Sequence, residues 1–147
     1  MQDKEPIFLI DSNILIYAYS EKDENKKRLA LKLLEKCWNG EIKYAVSLQN
    51  LAEFFSIAYN KFNIELTKAE SILSDIIEFK GFVKINYSEK TLIGSIGLIK
   101  KFSVPFWDSL IIETMKENGI FNIYTENTDD FKISLINAVN PFKGTIS

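Results

Sequence analysis

The chain has 147 residues, with 18 lysines and arginines against 20 aspartates and glutamates, one cysteine and no histidine. That length can bury a core without cross-links, and 46% apolar with 26% charged residues is the balance of a folded globular protein, not a disordered one. The missing histidine excludes Ser–His–Asp and Cys–His nucleophiles, HExxH metalloprotease chemistry and Cys2His2 zinc, and Cys37 alone excludes an intrachain disulfide or a thiolate cluster.

A net charge of −2 argues against holding nucleic acid by bulk positive charge, although it permits a small basic rim around an acidic site. The opening MQDKEP lacks the basic and apolar regions of a secretory leader. No apolar run approaches the roughly 20 residues of a membrane span, and one free cysteine suits a reducing compartment. These features predict a cytoplasmic protein whose residues 1–147 form a single domain.

In chain order, Pro6–Ile10 is an apolar run that ends at Asp11 and reads as a buried strand. A short helix over Asn13–Ser20 is followed by the polar break Glu21-Lys22-Asp23. A longer helix then reaches Asn39, with Ala30, Leu31, Leu34, Cys37 and Trp38 near helical spacing and Gly40 as its stop. Lys43–Ser47 is a second strand, and Leu51, Phe54, Phe55, Ala58 and Tyr59 mark an amphipathic helix over Leu48–Asn60. Thr67-Lys-Ala-Glu70 has capping-box spacing and opens a helix to Phe79, before Gly81. Gly81–Asn86 is a third strand, and Ser88 caps a helix with Leu92, Ile96 and Ile99 on its apolar face. After Pro105, a helix over Trp107–Asn118 ends with Gly119 at C′. Phe121–Thr125 is a fourth strand, Thr128–Phe131 a turn and Ile136–Val139 a fifth strand. Short apolar strands alternating with amphipathic helices predict an α/β fold of three layers, with helices on both faces of a mainly parallel sheet of four to five strands.

Ligands of open α/β sheets bind beyond the carboxyl ends of the strands. Asp11 stands at the end of the first strand, Glu53 lies on the helix after the second, and Asp108 opens the helix after Pro105. Thr125, Asn127, Asp129 and Asp130 follow the fourth strand. Taken singly, each has a structural use: Asp11 as a helix cap, Glu53 as a surface glutamate, Asp108 as a first-turn charge, the Asn/Asp run as a turn. Together they put several carboxylates at one sheet edge, where they repel unless a cation neutralises them. Oxygen-only ligation selects Mg²⁺ or Mn²⁺, one ion or two, and such an ion lowers the pKa of an attacking water. Phosphodiester hydrolysis is thereby open to a chain without histidine.

Four segments, Phe8-Leu-Ile-Asp-Ser-Asn-Ile-Leu-Ile-Tyr-Ala18, Leu51-Ala-Glu-Phe-Phe55, Phe106-Trp-Asp-Ser-Leu-Ile-Ile112 and Thr125-Glu-Asn-Thr-Asp-Asp-Phe131, resemble the PIN domain in order and spacing. The resemblance runs from about Ile7 to Phe142 and is greatest to the VapC-type toxins of toxin–antitoxin pairs. It implies a PIN-like fold and a metal-dependent endoribonuclease, with Asp11, Glu53 and Asp108 on the family's three acidic positions. The fourth position falls on Asn127 or Asp130, and Ser12, Asn13 and Thr125 fall on groups that orient the carboxylates. It also implies an RNA substrate, a cognate antitoxin and a homodimer built on apolar helical faces in the first third of the chain.

Asn127, one charge lighter than the usual aspartate, motivates an alternative: a catalytically weak or inactive PIN-like module that binds RNA or protein. A third reading makes Asp11 a phosphorylated aspartate, as in a response-regulator receiver or a haloacid-dehalogenase-like phosphatase, although Asn13 stands where the latter has a second aspartate. Elsewhere, Lys22, Lys26, Lys27, Arg28 and Lys32 read as a solvated helix face in preference to an RNA contact. Trp107 reads as a core anchor more than a base-stacking platform, Phe54 and Phe55 as core or interface, and Cys37 as a small core hydrophobe.

Overall fold

The computed structural model describes residues 6–133 and 135–143; Met1–Glu5, most of the stretch read as lacking a leader's pattern, lie outside the described residues. The elements are β1 (Phe8–Ile10), α1 (Ser12–Tyr19), α2 (Glu24–Trp38), β2 (Tyr44–Ser47), α3 (Leu48–Asn60), α4 (Leu66–Glu78), β3 (Phe82–Ile85), α5 (Glu89–Phe102), α6 (Phe106–Glu117), β4 (Asn122–Tyr124), a 3₁₀ turn (Thr128–Phe131) and β5 (Asn137–Val139). The five strands pair in parallel in the order β3-β2-β1-β4-β5. From β1 the chain winds outward to β2 and β3, then returns to lay β4 on the other side of β1. The winding therefore reverses between β1 and β4, and a crevice opens there beyond the strand ends.

Both faces of this sheet are covered, which is why its strands read as continuous apolar runs. In β1, Phe8 and Ile10 point to one core while Leu9 points to the other. Tyr44 and Val46 of β2 join the first core and Ala45 the second. The first core is closed by α1 to α4, through Ile14, Leu15, Leu34, Phe54 and Ile76 among others; the second by α5, α6 and the 3₁₀ turn, through Leu98, Ile112, Met115 and Phe131. The expected three-layer α/β/α fold is the one observed. Cys37 is fully buried in the first core, as expected of a small hydrophobe, and burial pushes its thiol pKa up. No described helix is long and apolar enough to cross a membrane.

Local signals set most boundaries. Gly119 follows Asn118, the C-cap of α6, with φ +69°, the left-handed conformation a helix-ending C′ glycine supplies without strain. Ser88 caps α5 as expected, its hydroxyl accepting from the Thr91 amide at 3.2 Å. The Thr67–Glu70 capping box does not form. Here α4 starts at Leu66 with Glu65 at the N-cap and no side-chain cap bond, so Thr67 is already inside the first turn. A second expectation fails on α5. Its inward residues are Thr91, Ser95 and Leu98, and Leu92 and Ile96 are exposed. The cause is its close packing on α6: a Cβ at Gly94 would meet the Glu113 carboxylate, so the small-residue side of the helix faces inward. Four exposed apolar side chains accordingly sit on α5 (Leu92, Ile93, Ile96, Phe102), whereas in the first third of the chain Leu48 is the one large hydrophobic exposed among the described residues.

The cap that forms at α2 and the one that does not at α4 give different expectations for alanine substitution. Asp23 accepts from the Lys26 amide at 3.0 Å at the start of α2. Asp23→Ala should therefore lower unfolding stability by about 1 kcal/mol. Thr67→Ala should change it by less than about 0.5 kcal/mol, as an exposed substitution outside any cap does. Urea unfolding of both variants measures this; a larger loss in Thr67→Ala would restore the capping box.

Candidate active site

Asp11 is placed by the sheet and held by its neighbours. Its backbone N–H donates to the Tyr124 carbonyl at 3.0 Å, one step beyond the β1–β4 ladder, so its side chain emerges at the strand end. It is also the N-cap of α1, and its carboxylate is only 6% exposed. Oδ1 accepts from the Ser12 amide at 2.7 Å, the Asn50 side-chain amide at 3.2 Å and the Ser12 hydroxyl at 3.4 Å. Oδ2 accepts from the Thr125 hydroxyl at 2.7 Å and the Asn13 amide at 3.4 Å. Burial raises the Asp11 pKa and these hydrogen bonds pull against it. The capping and site readings of Asp11 thus describe the same carboxylate.

Asn50 was not anticipated. It is 0% exposed and forms a capping box with Ser47 at the start of α3: its N–H donates to the Ser47 hydroxyl at 2.9 Å, and its Oδ1 accepts that hydroxyl at 2.8 Å. The cap leaves its Nδ2 aimed at Asp11. The signal was available, because Ser47 and Asn50 have capping-box spacing directly after a strand. Glu53 is the next residue on that helix face, three positions on. It is half-buried and accepts from the Ser12 hydroxyl at 3.5 Å, and both burial and the Asp11 charge raise its pKa.

Asp108 sits in the first turn of α6, a helix whose N-cap, Pro105, offers no side-chain bond. A carboxylate there is favoured by the macrodipole. Burial first, and then the charges of Asp130, Asp11 and Glu53, push its carboxyl pKa up to about 7. Asp130, on the 3₁₀ turn, lies close enough for its charge to raise the Asp108 pKa. Asn127 is exposed at the crevice, and its backbone N–H donates to the Thr125 hydroxyl at 3.0 Å. Asp129 points away and pairs with Lys132 at 3.0 Å. Asp130 is therefore the acid that reaches the cluster, while Asn127 lines the opening.

Three further residues brace the loop after β4. The Glu126 carboxylate pairs with Lys26 and accepts the Tyr17 hydroxyl at 3.0 Å, while the Glu126 backbone N–H donates to the Asn13 side-chain Oδ1 at 3.2 Å. The Lys26 ammonium also lies over the Tyr17 ring, 4.7 Å from its centroid. Lys26 is thus a buttress, not part of a solvated face. No sequence signal marks this contact, since Lys26 and Glu126 are 100 residues apart. Trp107 also departs from its expectation. It is 59% exposed beside the acids, not anchored in the core.

Asp11, Glu53 and Asp108 line one crevice of about 260 Å³, with Asn13, Lys61 and Asn127. Among the described residues, no three carboxylates close tightly enough to make a ready-formed ligand cage. They meet as two pairs, Asp11 with Glu53 across the Ser12 hydroxyl and Asp108 with Asp130. The donor set still fits a hard divalent cation: it is all oxygen, and its mutual repulsion is the load that such a cation would remove.

A family model of the PIN domain matches residues 8–133. The chain belongs to the PIN-domain family. Its structure is similar to a chain of a toxin–antitoxin complex from Klebsiella pneumoniae, with 27% identity over 91% of this chain and 97% of the other, at a TM-score of 0.66. It shares its fold with the Rickettsia felis VapBC2 structure (20% identity, 91% and 98% covered, TM-score 0.64). The fold also matches Mycobacterium tuberculosis VapC20, a toxin that cleaves the sarcin–ricin loop (14% identity, 84% and 92% covered, TM-score 0.63). No curated protein matches the chain significantly. As a PIN domain, the chain is neither a receiver, whose strand order is 2-1-3-4-5, nor a dehalogenase-like phosphatase.

The raised Asp108 pKa sets a pH dependence. Between the ordinary value of 3.8 and about 7, the folded metal-free chain holds a proton that the unfolded chain has lost. Its contribution to stability therefore falls as pH rises through that window and is level above it. Asp108→Asn, freed of this penalty, should gain thermal stability relative to wild type as pH rises from 4 to 7 in EDTA. A melting-temperature difference that is flat with pH would contradict the shift.

Proposed function

We propose that this PIN-domain chain is a metal-dependent endoribonuclease and the toxin of a toxin–antitoxin pair, acting in the cytoplasm as a homodimer. What supports the reading above all is the convergence of Asp11, Glu53, Asp108 and Asp130 at the β1/β4 reversal of a chain with no histidine. Asp11, Glu53 and Asp108, with Asp130 or Asn127, would hold one or two Mg²⁺ or Mn²⁺ ions, which when bound supply Lewis-acid activation of water and of the phosphate.

The chain's own groups do the rest. Ser12, Asn13, Asn50 and Thr125 keep Asp11 oriented, the part that outer hydrogen-bond partners play around ligating carboxylates. Lys61, on the crevice wall, offers a positive charge to the non-bridging phosphate oxygens, and the Asn127 side chain an uncharged donor. Hydrolysis adds water across one P–O bond, and the released ribose oxygen takes up a proton. Asp130 supplies the fourth carboxylate charge near Asp108, so Asn127 does not by itself favour the inactive-module reading. The antitoxin partner is supported by the toxin–antitoxin neighbours, and an interface by the apolar Leu92, Ile93 and Ile96 exposed on α5.

Purified chain should cleave RNA with Mn²⁺ or Mg²⁺ and lose that activity in EDTA and in Asp11→Asn. Asn50→Ala should retain the fold and lose about 10- to 100-fold in rate or metal affinity, the range for an outer-shell partner. Undiminished cleavage by Asp11→Asn, or in EDTA, would overturn the reading.

A further inference from the structure

A groove of about 540 Å³ runs alongside the acidic crevice and shares Glu53 with it. Its walls are Leu48 and Gln49 at the start of α3, Asn86 and Tyr87 after β3, and Trp107 at the start of α6. Trp107 is 59% exposed and Tyr87 46%. Two large aromatic faces turned to solvent on one groove are a costly way to end three elements unless something covers them.

We propose that this groove is a nucleobase-binding subsite, in which Trp107 and Tyr87 hold one unpaired base of the RNA beside the bond to be cut. The inference rests on the ribonuclease reading above. Four observations carry it. The groove is continuous with the acids, and Trp107 is the residue before Asp108, so a base stacked there holds its own phosphate within about one residue's reach of the site. Its walls combine apolar and aromatic side chains with the uncharged Gln49, Ser56 and Asn86, and Glu53 is their one charged member, which suits an uncharged base and not a phosphate. The main chain that carries Trp107 is also tied in place: the Gln49 side-chain amide donates to the Trp107 backbone carbonyl at 3.1 Å, joining α6 to the helix that carries Glu53. Finally, among the described residues, that bond and the one from the Tyr87 N–H to the Asn86 side-chain Oδ1 at 2.9 Å leave each side-chain amide with hydrogen-bonding capacity unused at the rim. Amide edges so placed can read the Watson–Crick edge of a splayed base. The volume lies in the range of sites that take small organic ligands, the size class of a nucleoside.

The test is cleavage of a mixed-sequence single-stranded RNA with Mn²⁺ by wild type, Trp107→Ala, Trp107→Phe and Tyr87→Ala. It is run beside a matched RNA carrying one abasic ribose next to the preferred cut, with the solution mass of each variant recorded. Trp107→Ala should raise KM by roughly 5- to 150-fold, the stacking range for one base, and blur the preference for the base at the cut. Trp107→Phe should keep most of the affinity. The abasic RNA should be a poor substrate for wild type and no worse for Trp107→Ala, because both changes remove the same contact. If wild type cleaves and Trp107→Ala matches it in KM and cut preference, the subsite is wrong and the ribonuclease stands. If Trp107→Ala instead halves the solution mass and weakens intact and abasic RNA alike, the groove is an interface between chains. If wild type does not cleave at all, the ribonuclease reading fails. Quenching of Trp fluorescence by intact but not abasic RNA then supports the subsite, and equal or absent quenching overturns it.

Discussion

A carboxylate buried at the end of a parallel strand survives only if its surroundings donate to it, and Asp11 is the point on which this structure turns. Five donors from four residues converge on its two oxygens, and those residues come from α1, α3 and the loop after β4. Each is held in turn by a structural task. Ser12 opens α1, Asn50 caps α3, Asn13 receives the Glu126 amide, and Thr125 continues the ladder by donating its N–H to the Val139 carbonyl at 3.0 Å. Among the described residues no buried side-chain nitrogen or oxygen lacks a partner, so the network is complete, as a buried polar network has to be.

The strand order explains why these donors meet. With β1 central and the winding reversing toward β4, the residues that leave β1 and β4 share one crevice, and the helices after β2 and after Pro105 begin at its rim. The chemistry follows from placing acids around that reversal. On top of burial, the charge of Asp11 raises the pKa of Glu53, and the charges of Asp130 and Asp11 raise that of Asp108. What fixes Asp11 therefore destabilises the metal-free cluster around it. Under the proposed function a divalent cation would reverse the sign of that interaction, and the two carboxylate pairs would then serve as one ligand set.

Much of this was legible in the chain itself, for reasons that can be named. The strand ends were visible because buried parallel strands are short apolar runs that stop at a polar residue, as Ile10 does at Asp11. Gly119 and Ser88 marked helix ends through local backbone chemistry, and Asp11, Glu53 and Asp108 stood out as acids at strand exits or helix starts in a histidine-free chain. What escaped depends on distance in sequence or on helix rotation. Lys26 and Glu126 meet only in three dimensions. The inward face of α5 is set by how closely it packs on α6, which puts Thr91 and Ser95 inside and Leu92 and Ile96 outside, against apolar periodicity. Trp107 looked like a core residue because tryptophan usually is buried, and only the packed fold shows its ring in solvent beside the acids.

Under the proposed function these acids form one electrostatic unit, and a cation bound there would displace the proton held near Asp108. Calorimetric titration with Mn²⁺ in buffers of different ionisation enthalpy measures that proton directly. At pH 6 binding should release a substantial fraction of one proton, a release that vanishes by pH 9 and is absent in Asp108→Asn. Binding without proton release at pH 6, or no binding at any pH, would contradict it.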